Sequence, residues 1–318
     1  MYEGHTIGVV VPAYNEEGFV GDVLDSLPDF VDRVYVVDDA STDGTWDEIR
    51  AHAAIERAPR AGESDDTDGQ VVAIQHEVNR GAGAAIKTGY LAAREDQTDI
   101  TVTIDADGQM DPGMMTRFLD PIVAGDADYA KGNRLSNPEF RHEMPRFRLL
   151  GNWMLTWLTR IASGYWDVTD PQNGYTAISL PALEAIDLEG MYEYYGYCND
   201  ILVKLNVAGM RVADVDMPAT YGDEESSIEY NDYIPKVSLM LLRNFLWRLG
   251  SRYRTHPLGI AYLVGIVSGV VGIALGVRAA GATLTGSESD DGRKSLTSLV
   301  VGVVGIIVGV VLDRRENT

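Results

Sequence analysis

Two carboxylates set two residues apart close an apolar run in Thr103-Ile104-Asp105-Ala106-Asp107-Gly108-Gln109. If Ile100 to Ile104 is a buried strand and the chain turns at Gly108, both carboxylates project from the strand's carboxyl end, where open α/β sheets bind ligands. Oxygen donors of this kind suit Mg²⁺ or Mn²⁺, and Mg²⁺ is commonly held by one or two carboxylates together with substrate phosphates. The pair therefore points to a phosphorylated substrate. The competing explanation is local, since Asp and Gly favour turns without any ligand. Further along, Arg134 in Gly132-Asn133-Arg134-Leu135 offers a guanidinium fork able to pair with two phosphate oxygens, although an isolated arginine is more often a surface ion pair.

The elements that must position these groups follow a strand, loop, helix, strand rhythm. Ile7 to Val11 is a β-rich run, and Pro12, which cannot donate to a ladder, is expected to mark its end. After Ala13-Tyr14-Asn15-Glu16-Glu17 comes helical spacing over Phe19 to Leu27, then a buried strand from Arg33 to Val37 running into Asp38-Asp39-Ala40-Ser41-Thr42-Asp43-Gly44. Val71 to Ile74, the segment Asn79 to Lys87 and a helix to Ala93 repeat the unit, and Ala127 to Lys131 reads as another strand. This is the parallel α/β pattern. Two phosphate-binding motifs nearly match at residues 81–88 and both fail: Ile86 stands where a third glycine belongs in the dinucleotide fingerprint and where the P-loop lysine needs its preceding glycine. Ala61 to Gly69 is expected to be a solvated acidic loop.

A chain of 318 residues with 45% hydrophobic content allows one large domain or two ordinary ones. A net charge of −22 argues against non-specific nucleic-acid binding and fits an acidic surface for solubility in concentrated salt, as in a salt-loving archaeal source. Cys198 is alone and the five histidines are scattered, so neither a disulfide nor a zinc-type motif is expected. Met1 to Thr6 is short and polar, no signal peptide precedes the first strand, and the amino-terminal domain is expected in the cytosol.

Composition changes downstream. Pro145 to Trp166 and Ile234 to Arg254 mix large apolar residues with arginines, which suits helices lying at a bilayer surface with tryptophans at headgroup level; buried core helices are the alternative. Leu258 to Val277 and Leu296 to Leu312 carry no charge and, at about 30 and 25 Å as helices, are long enough to span a membrane. Their glycines, at 265, 269, 272, 276, 302, 305 and 309, permit close helix approach and offer a route to a homo-oligomer. Arg243, Arg248, Arg252, Arg254, Arg314 and Arg315 flank the spans on one side against Arg278, Arg293 and Lys294 in the connector, so the positive-inside rule puts both termini in the cytosol of a multi-pass cell-membrane protein. The expected division is a catalytic domain over 1–230, a juxtamembrane helix over 231–256 and a transmembrane hairpin over 257–318.

Taken in order, Val11-Pro12-Ala13-Tyr14-Asn15-Glu16, Val37-Asp38-Asp39-Ala40-Ser41-Thr42-Asp43, Asn79-Arg80-Gly81-Ala82-Gly83, Asp105-Ala106-Asp107-Gly108-Gln109 and Gly132-Asn133-Arg134 resemble the motifs of family 2 glycosyltransferases. The likeness is strongest to the dolichyl-phosphate mannose and glucose synthases and to polyprenyl-phosphate glycosyltransferases, and it covers roughly residues 5 to 225. The resemblance implies a GT-A type domain with a mostly parallel sheet, a UDP- or GDP-hexose donor, a polyprenyl or dolichyl phosphate acceptor, and Mg²⁺ or Mn²⁺. By the same resemblance Pro12, Tyr14, Glu16, Val37 and Asp39 hold base and ribose, Asp105, Ala106, Asp107 and Gln109 bind the diphosphate and metal, and Arg134 and Arg148 contact the sugar donor or lipid phosphate. Asp170-Pro171-Gln172-Asn173-Gly174-Tyr175 resembles the family's Asp-x-x-x-Gly-Phe segment beside the sugar.

Two places depart from the mannose synthases: Gly196-Tyr197-Cys198 replaces a basic Gly-Phe-Lys segment, and Gly222-Asp223-Glu224-Glu225-Ser226-Ser227 replaces a basic loop. The expected chemistry is a single inverting displacement by a phosphate oxygen, which already carries about 1.5 to 2 negative charges and needs no general base. A processive polysaccharide synthase would keep the same donor site, but no Gln-x-x-Arg-Trp segment is visible; a catalytically idle membrane-tethered binder would not need every metal and nucleotide position.

Overall fold

The computed structural model describes residues 1–54, 71–135, 146–218, 230–284 and 290–317. It divides into two compact units, 1–159 with 168–241 and 160–167 with 242–318. The acidic segments expected at 61–69 and 222–227 lie outside the described residues.

The first unit is built on a seven-stranded sheet of β1 (Ile7–Ala13), β2 (Arg33–Asp38), β3 (Val71–Gln75), β4 (Ile100–Thr103), β5 (Tyr129–Asn133), β6 (Thr176–Ser179) and β7 (Val212–Asp216), ordered β3-β2-β1-β4-β6-β5-β7. Every neighbouring pair is parallel except those made by β6, which runs antiparallel to β4 and β5. Ile7, Val9, Val10 and Val11 have no exposed surface, which is why β1 reads as a continuous apolar run rather than an alternating one. Helix α3 (Ala82–Glu95) lies so close to it that a Cβ on Gly89 would strike the Val10 side chain. The remaining helices of this unit include α1 (Val20–Asp25), α2 (Thr45–Ala53), α4 (Met115–Val123), α6 (Leu180–Ala185) and α7 (Tyr197–Ala208).

Several boundaries shift by one or two residues, β5 beginning at Tyr129 where Ala127 was expected, and the end of β1 shows why. β1 runs through Pro12, which sits opposite Val37, and ends at Ala13. Ile104 N donates to Val10 O on the β4 side, and Asp39 N donates to Ala13 O on the β2 side. By this alternation Pro12 faces the β4 side, where β4 has already ended at Thr103, so its missing N–H breaks no ladder bond.

Helix α5 (Arg146–Ser163) is inside out by soluble standards: Trp153 is 62% exposed, and Met154, Trp157 and Leu158 also face outward, while Thr156 and Thr159 are buried. The core-helix alternative fails on that count. Helix α8 (Tyr230–Arg252) likewise exposes Leu239, Leu242, Leu246 and Trp247.

In the second unit α9 (Pro257–Leu284) and α10 (Asp291–Glu316) form an antiparallel pair, each long and apolar enough to cross a membrane. Their glycines meet backbone to backbone: a Cβ on Gly305 would stand 2.7 Å from Gly265 Cα, and one on Gly302 2.8 Å from Gly269 N. Gly265, Gly272, Gly302, Gly305 and Gly309, expected to serve a homo-oligomer, are thus used by the close approach of α9 and α10, while the Cβ direction of Gly269 stays open. Arg248, expected among the interfacial arginines, is instead fully buried. Its Nη1 and Nη2 donate to Asp313 Oδ1 and Oδ2 at 3.0 and 2.6 Å, and Tyr262 and Asn317 also donate to that carboxylate.

Candidate active site

Successive units wind from β1 to β2 to β3 on one side, while β4 lies on the other side of β1, so the sheet's switch point falls between β1 and β4. The crevice outside the carboxyl ends of these strands is where open sheets of this kind take ligands. Both loops expected to carry chemistry emerge there. After β4 the chain turns at Gly108, whose φ of +71° favours glycine, and Gln109 N donates to Asp107 Oδ1 at 2.9 Å. Burial, reinforced by the charge of Asp107, pushes the Asp105 carboxyl up to about 7 against the opposing pull of Arg134. Two carboxylates and a guanidinium thus share one electrostatic environment.

The segment between α5 and β6 forms the opposite wall. Gly174 lies against Asp105: a Cβ there would stand 3.2 Å from Asp105 Oδ2 and 3.3 Å from the Tyr197 hydroxyl. Asp170 is 2% exposed and takes Arg134 Nε at 2.8 Å, Arg134 Nη2 at 3.3 Å and the Arg134 backbone N at 3.2 Å. Burial would raise the Asp170 pKa, but the charge and hydrogen bonds of Arg134, with a contribution from Lys131, outweigh it and hold the carboxyl below the usual range. Lys131 is itself buried and donates to Asp214 at 3.0 Å. Gln172 Nε2 donates to the Tyr233 hydroxyl of α8 at 2.5 Å, which ties this wall to the start of that helix.

On the β2 side, Asp39 is 2% exposed and accepts from His76 Nδ1 at 2.6 Å, Arg80 N at 3.0 Å and Gly81 N at 2.7 Å. Its carboxylate thereby fixes the loop leading into α3. His76 Nε2 lies 2.9 Å from Thr88 Oγ1, which completes the brace. Asn15 N donates to Ser41 Oγ, Thr42 N to Asn15 Oδ1, and Glu16 N to Thr45 Oγ1, stitching the loops after β1 and β2 into one surface. Tyr14 stands 45% exposed on that surface.

Of the residues expected to bind the donor, the fold brings Pro12, Tyr14, Glu16, Asp39, Asp105, Asp107 and Arg134 to this end of the sheet. Val37 and Ala106 are also there, but both side chains are buried in the core. Gln109 is tied to Asp107 through its backbone. Arg148 falls in α5, and its side chain lies outside the described residues. The near-miss phosphate motif is accounted for: Ala84 N, at the start of α3, donates to Glu193 O at 2.9 Å, and Gly81 and Gly83 are glycines because Cβ atoms would collide with the 192–193 backbone. His76 behind Asp39 carries no sequence signal, and Tyr197, read in the sequence only as part of a departure from the mannose synthases, lies beside Asp105; each acts through a partner far away in the chain.

Among the described residues no group of three or more His, Cys, Asp or Glu converges as a metal cage. A hard cation between Asp105 and Asp107 would draw its other ligands from substrate oxygens and water, which is the usual coordination of Mg²⁺ at phosphate sites. The donor set fits, and Gly174 leaves the Asp105 carboxylate uncovered by a side chain.

A mostly parallel seven-stranded sheet with acidic residues at its switch point, and loops after β1 and β2 braced by Asn15, Asp39 and Thr45, defines a GT-A-like α/β fold. The chain belongs to glycosyl transferase family 2, whose model matches residues 8–187. It is 32% identical over 216 residues to the UDP-N-acetylglucosamine–dolichyl-phosphate N-acetylglucosaminyltransferase of Methanococcus voltae, covering 68% of this chain and 86% of that one. It is 30% identical over 219 residues to the undecaprenyl-phosphate mannosyltransferase of Micrococcus luteus, covering 68% and 83%. In fold it is similar to glucosyl-3-phosphoglycerate synthase of Mycobacterium tuberculosis, solved with Mn²⁺, uridine diphosphate and phosphoglyceric acid, with a TM-score of 0.53 at 21% identity over 77% of this chain and 78% of that one.

Proposed function

We propose that the chain transfers a hexose from a UDP- or GDP-linked donor to a polyprenyl phosphate such as dolichyl phosphate, with inversion at the anomeric carbon. One observation carries the choice of a lipid acceptor: α5 turns Trp153 and Trp157 outward and buries its threonines, the arrangement of a helix seated in a membrane interface. The dolichyl-phosphate and undecaprenyl-phosphate acceptors of the Methanococcus and Micrococcus relatives agree with it.

In this mechanism the acceptor's phosphate oxygen attacks the anomeric carbon as the bond to the nucleoside diphosphate breaks, and the nucleotide departs carrying the electron pair. Pro12, Tyr14, Glu16 and the Asp39-braced loop hold the nucleoside. Asp105 and Asp107, with Gln109, would hold Mg²⁺ or Mn²⁺, which supplies charge neutralisation for the leaving diphosphate when bound. Arg134, aimed by Asp170, balances negative charge at the reacting phosphates, and Arg148 serves the acceptor phosphate. The α9–α10 pair spans the cell membrane with both termini cytosolic, and the acidic surface adapts the protein to a salt-rich archaeal cytosol.

The deciding experiment incubates the full chain in liposomes with dolichyl phosphate, Mn²⁺ or Mg²⁺ and a panel of radiolabelled nucleotide sugars. Label is expected in an organic-soluble lipid phosphate sugar, and Asp107→Asn is expected to lose at least about a hundredfold in rate while still inserting into membranes. Label transferred only to a water-soluble phosphate acceptor would overturn the lipid assignment; full activity of Asp107→Asn would overturn the metal role.

A further inference from the structure

Tyr192-Glu193-Tyr194-Tyr195-Gly196-Tyr197 runs between the nucleotide loop and the paired carboxylates, and it is fastened at both ends. At one end Glu193 O accepts from Ala84 N at 2.9 Å, while the Glu193 carboxylate takes Arg80 Nη2 at 2.8 Å and Lys87 Nζ at 2.5 Å. At the other end the Tyr197 hydroxyl reaches the Gly174 and Asp105 contact. The middle is a tight turn: Tyr197 N donates to Tyr194 O at 3.2 Å, and Gly196 adopts φ +117° and ψ −6°, the third-position geometry of a type II turn.

A segment so pinned holds its side chains in place before any ligand arrives. Tyr194 nevertheless remains 61% exposed. Its Cδ1 lies 3.0 Å from where a Cβ on Gly81 would be, and Gly81 N is bonded to the Asp39 carboxylate. Tyr192 meets the ring edge-on at 6.0 Å. An exposed aromatic ring on a rigid turn, set beside the carboxylate that organises the nucleotide loop, is suited to stacking on a planar ring.

We infer that Tyr194 is a donor-binding residue that stacks against the nucleoside. The inference rests on the nucleotide-sugar reading of the site. Because stacking asks only for an aromatic face, the contribution depends on the ring and not on the phenol hydroxyl, and it concerns the nucleoside and not the diphosphate.

The test is calorimetric titration of the full chain in detergent with Mn²⁺, using UDP, GDP and inorganic pyrophosphate. Tyr194→Ala is expected to weaken the preferred nucleoside diphosphate at least about tenfold, with Tyr194→Phe within about threefold of wild type. Pyrophosphate affinity and the melting temperature without ligand are expected to be unchanged in both variants. Wild-type affinity of Tyr194→Ala for the nucleoside diphosphate, or an equal loss for pyrophosphate, would overturn the inference alone. Failure of the wild-type protein to bind either nucleoside diphosphate would instead bring down the donor-site reading, and this inference with it.

Discussion

Gly174 faces the Asp105 carboxylate so closely that the smallest side chain would stand 3.2 Å from Oδ2. The contact joins the segment after α5 to the acidic turn after β4, two stretches about seventy residues apart in the chain. Gly174 has no positive φ, so its lack of a side chain answers to space and not to backbone conformation.

Gly174→Ala is therefore expected to fold normally and to act through Asp105. A methyl group at this distance forces the carboxylate to shift by a few tenths of an ångström, and displacements of that order near reacting groups are costly. Activity on lipid acceptor is expected to fall about tenfold or more, and Mn²⁺ affinity measured with nucleoside diphosphate present is expected to weaken with it. Unchanged metal affinity and rate would show that the contact has no role in the site.

Asp170 gives a pH-dependent prediction. Its pKa is depressed in the folded chain, because the Arg134 charge and hydrogen bonds outweigh burial. Its contribution to stability is fully present above the unfolded value of about 4 and is lost as pH falls through the lower folded value. Arg134 is 30% exposed and stays partly hydrated without the Asp170 charge, so Asp170→Asn is expected to cost about 1 to 3 kcal/mol at neutral pH, below the range for a wholly buried pair. Denaturation curves between about pH 2 and 7 should show the variant losing less further stability on acidification than wild type. Parallel acid limbs would mean that the pair is not responsible.

Much of this site was legible in the sequence because its signals are local. An apolar run that ends abruptly in Asp105 and Asp107 announces a strand end and the carboxylates on it together, and Gly108 marks the turn. What escaped was set by partners distant in the chain. Asp39 was readable as a site residue, but the donors that surround it come from His76, Arg80 and Gly81. The exposed Tyr194 gains meaning only once the contacts of Glu193 with Arg80, Ala84 and Lys87 set it beside Gly81. Pro12 was misplaced because a proline ends a strand only where a neighbour needs its N–H, and the length of β4 cannot be read from β1. Arg248 was misplaced because residues 242–254 look amphipathic without the carboxylate of Asp313.

That last pair yields the sharpest stability test. Arg248 and Asp313 have no exposed side-chain surface, and the guanidinium also donates to Ile161 O at 3.1 Å. Removing one partner strands a buried charge, which costs about 3 to 5 kcal/mol, whereas replacing both with apolar residues of similar volume is often neutral or stabilising. Asp313→Leu and Arg248→Met are each expected to lower the melting temperature of the detergent-solubilised chain sharply, and the double variant is expected to recover most of the loss. The same logic changes how the chain should be shortened: a truncation before residue 256 leaves Arg248 without Asp313, so its loss of activity would mix instability with loss of the membrane anchor. Ending the chain at Leu241 removes both partners together. If the double variant melts as low as the worse single variant, Arg248 and Asp313 are not energetically coupled, and the bidentate contact between them contributes nothing to holding the second unit together.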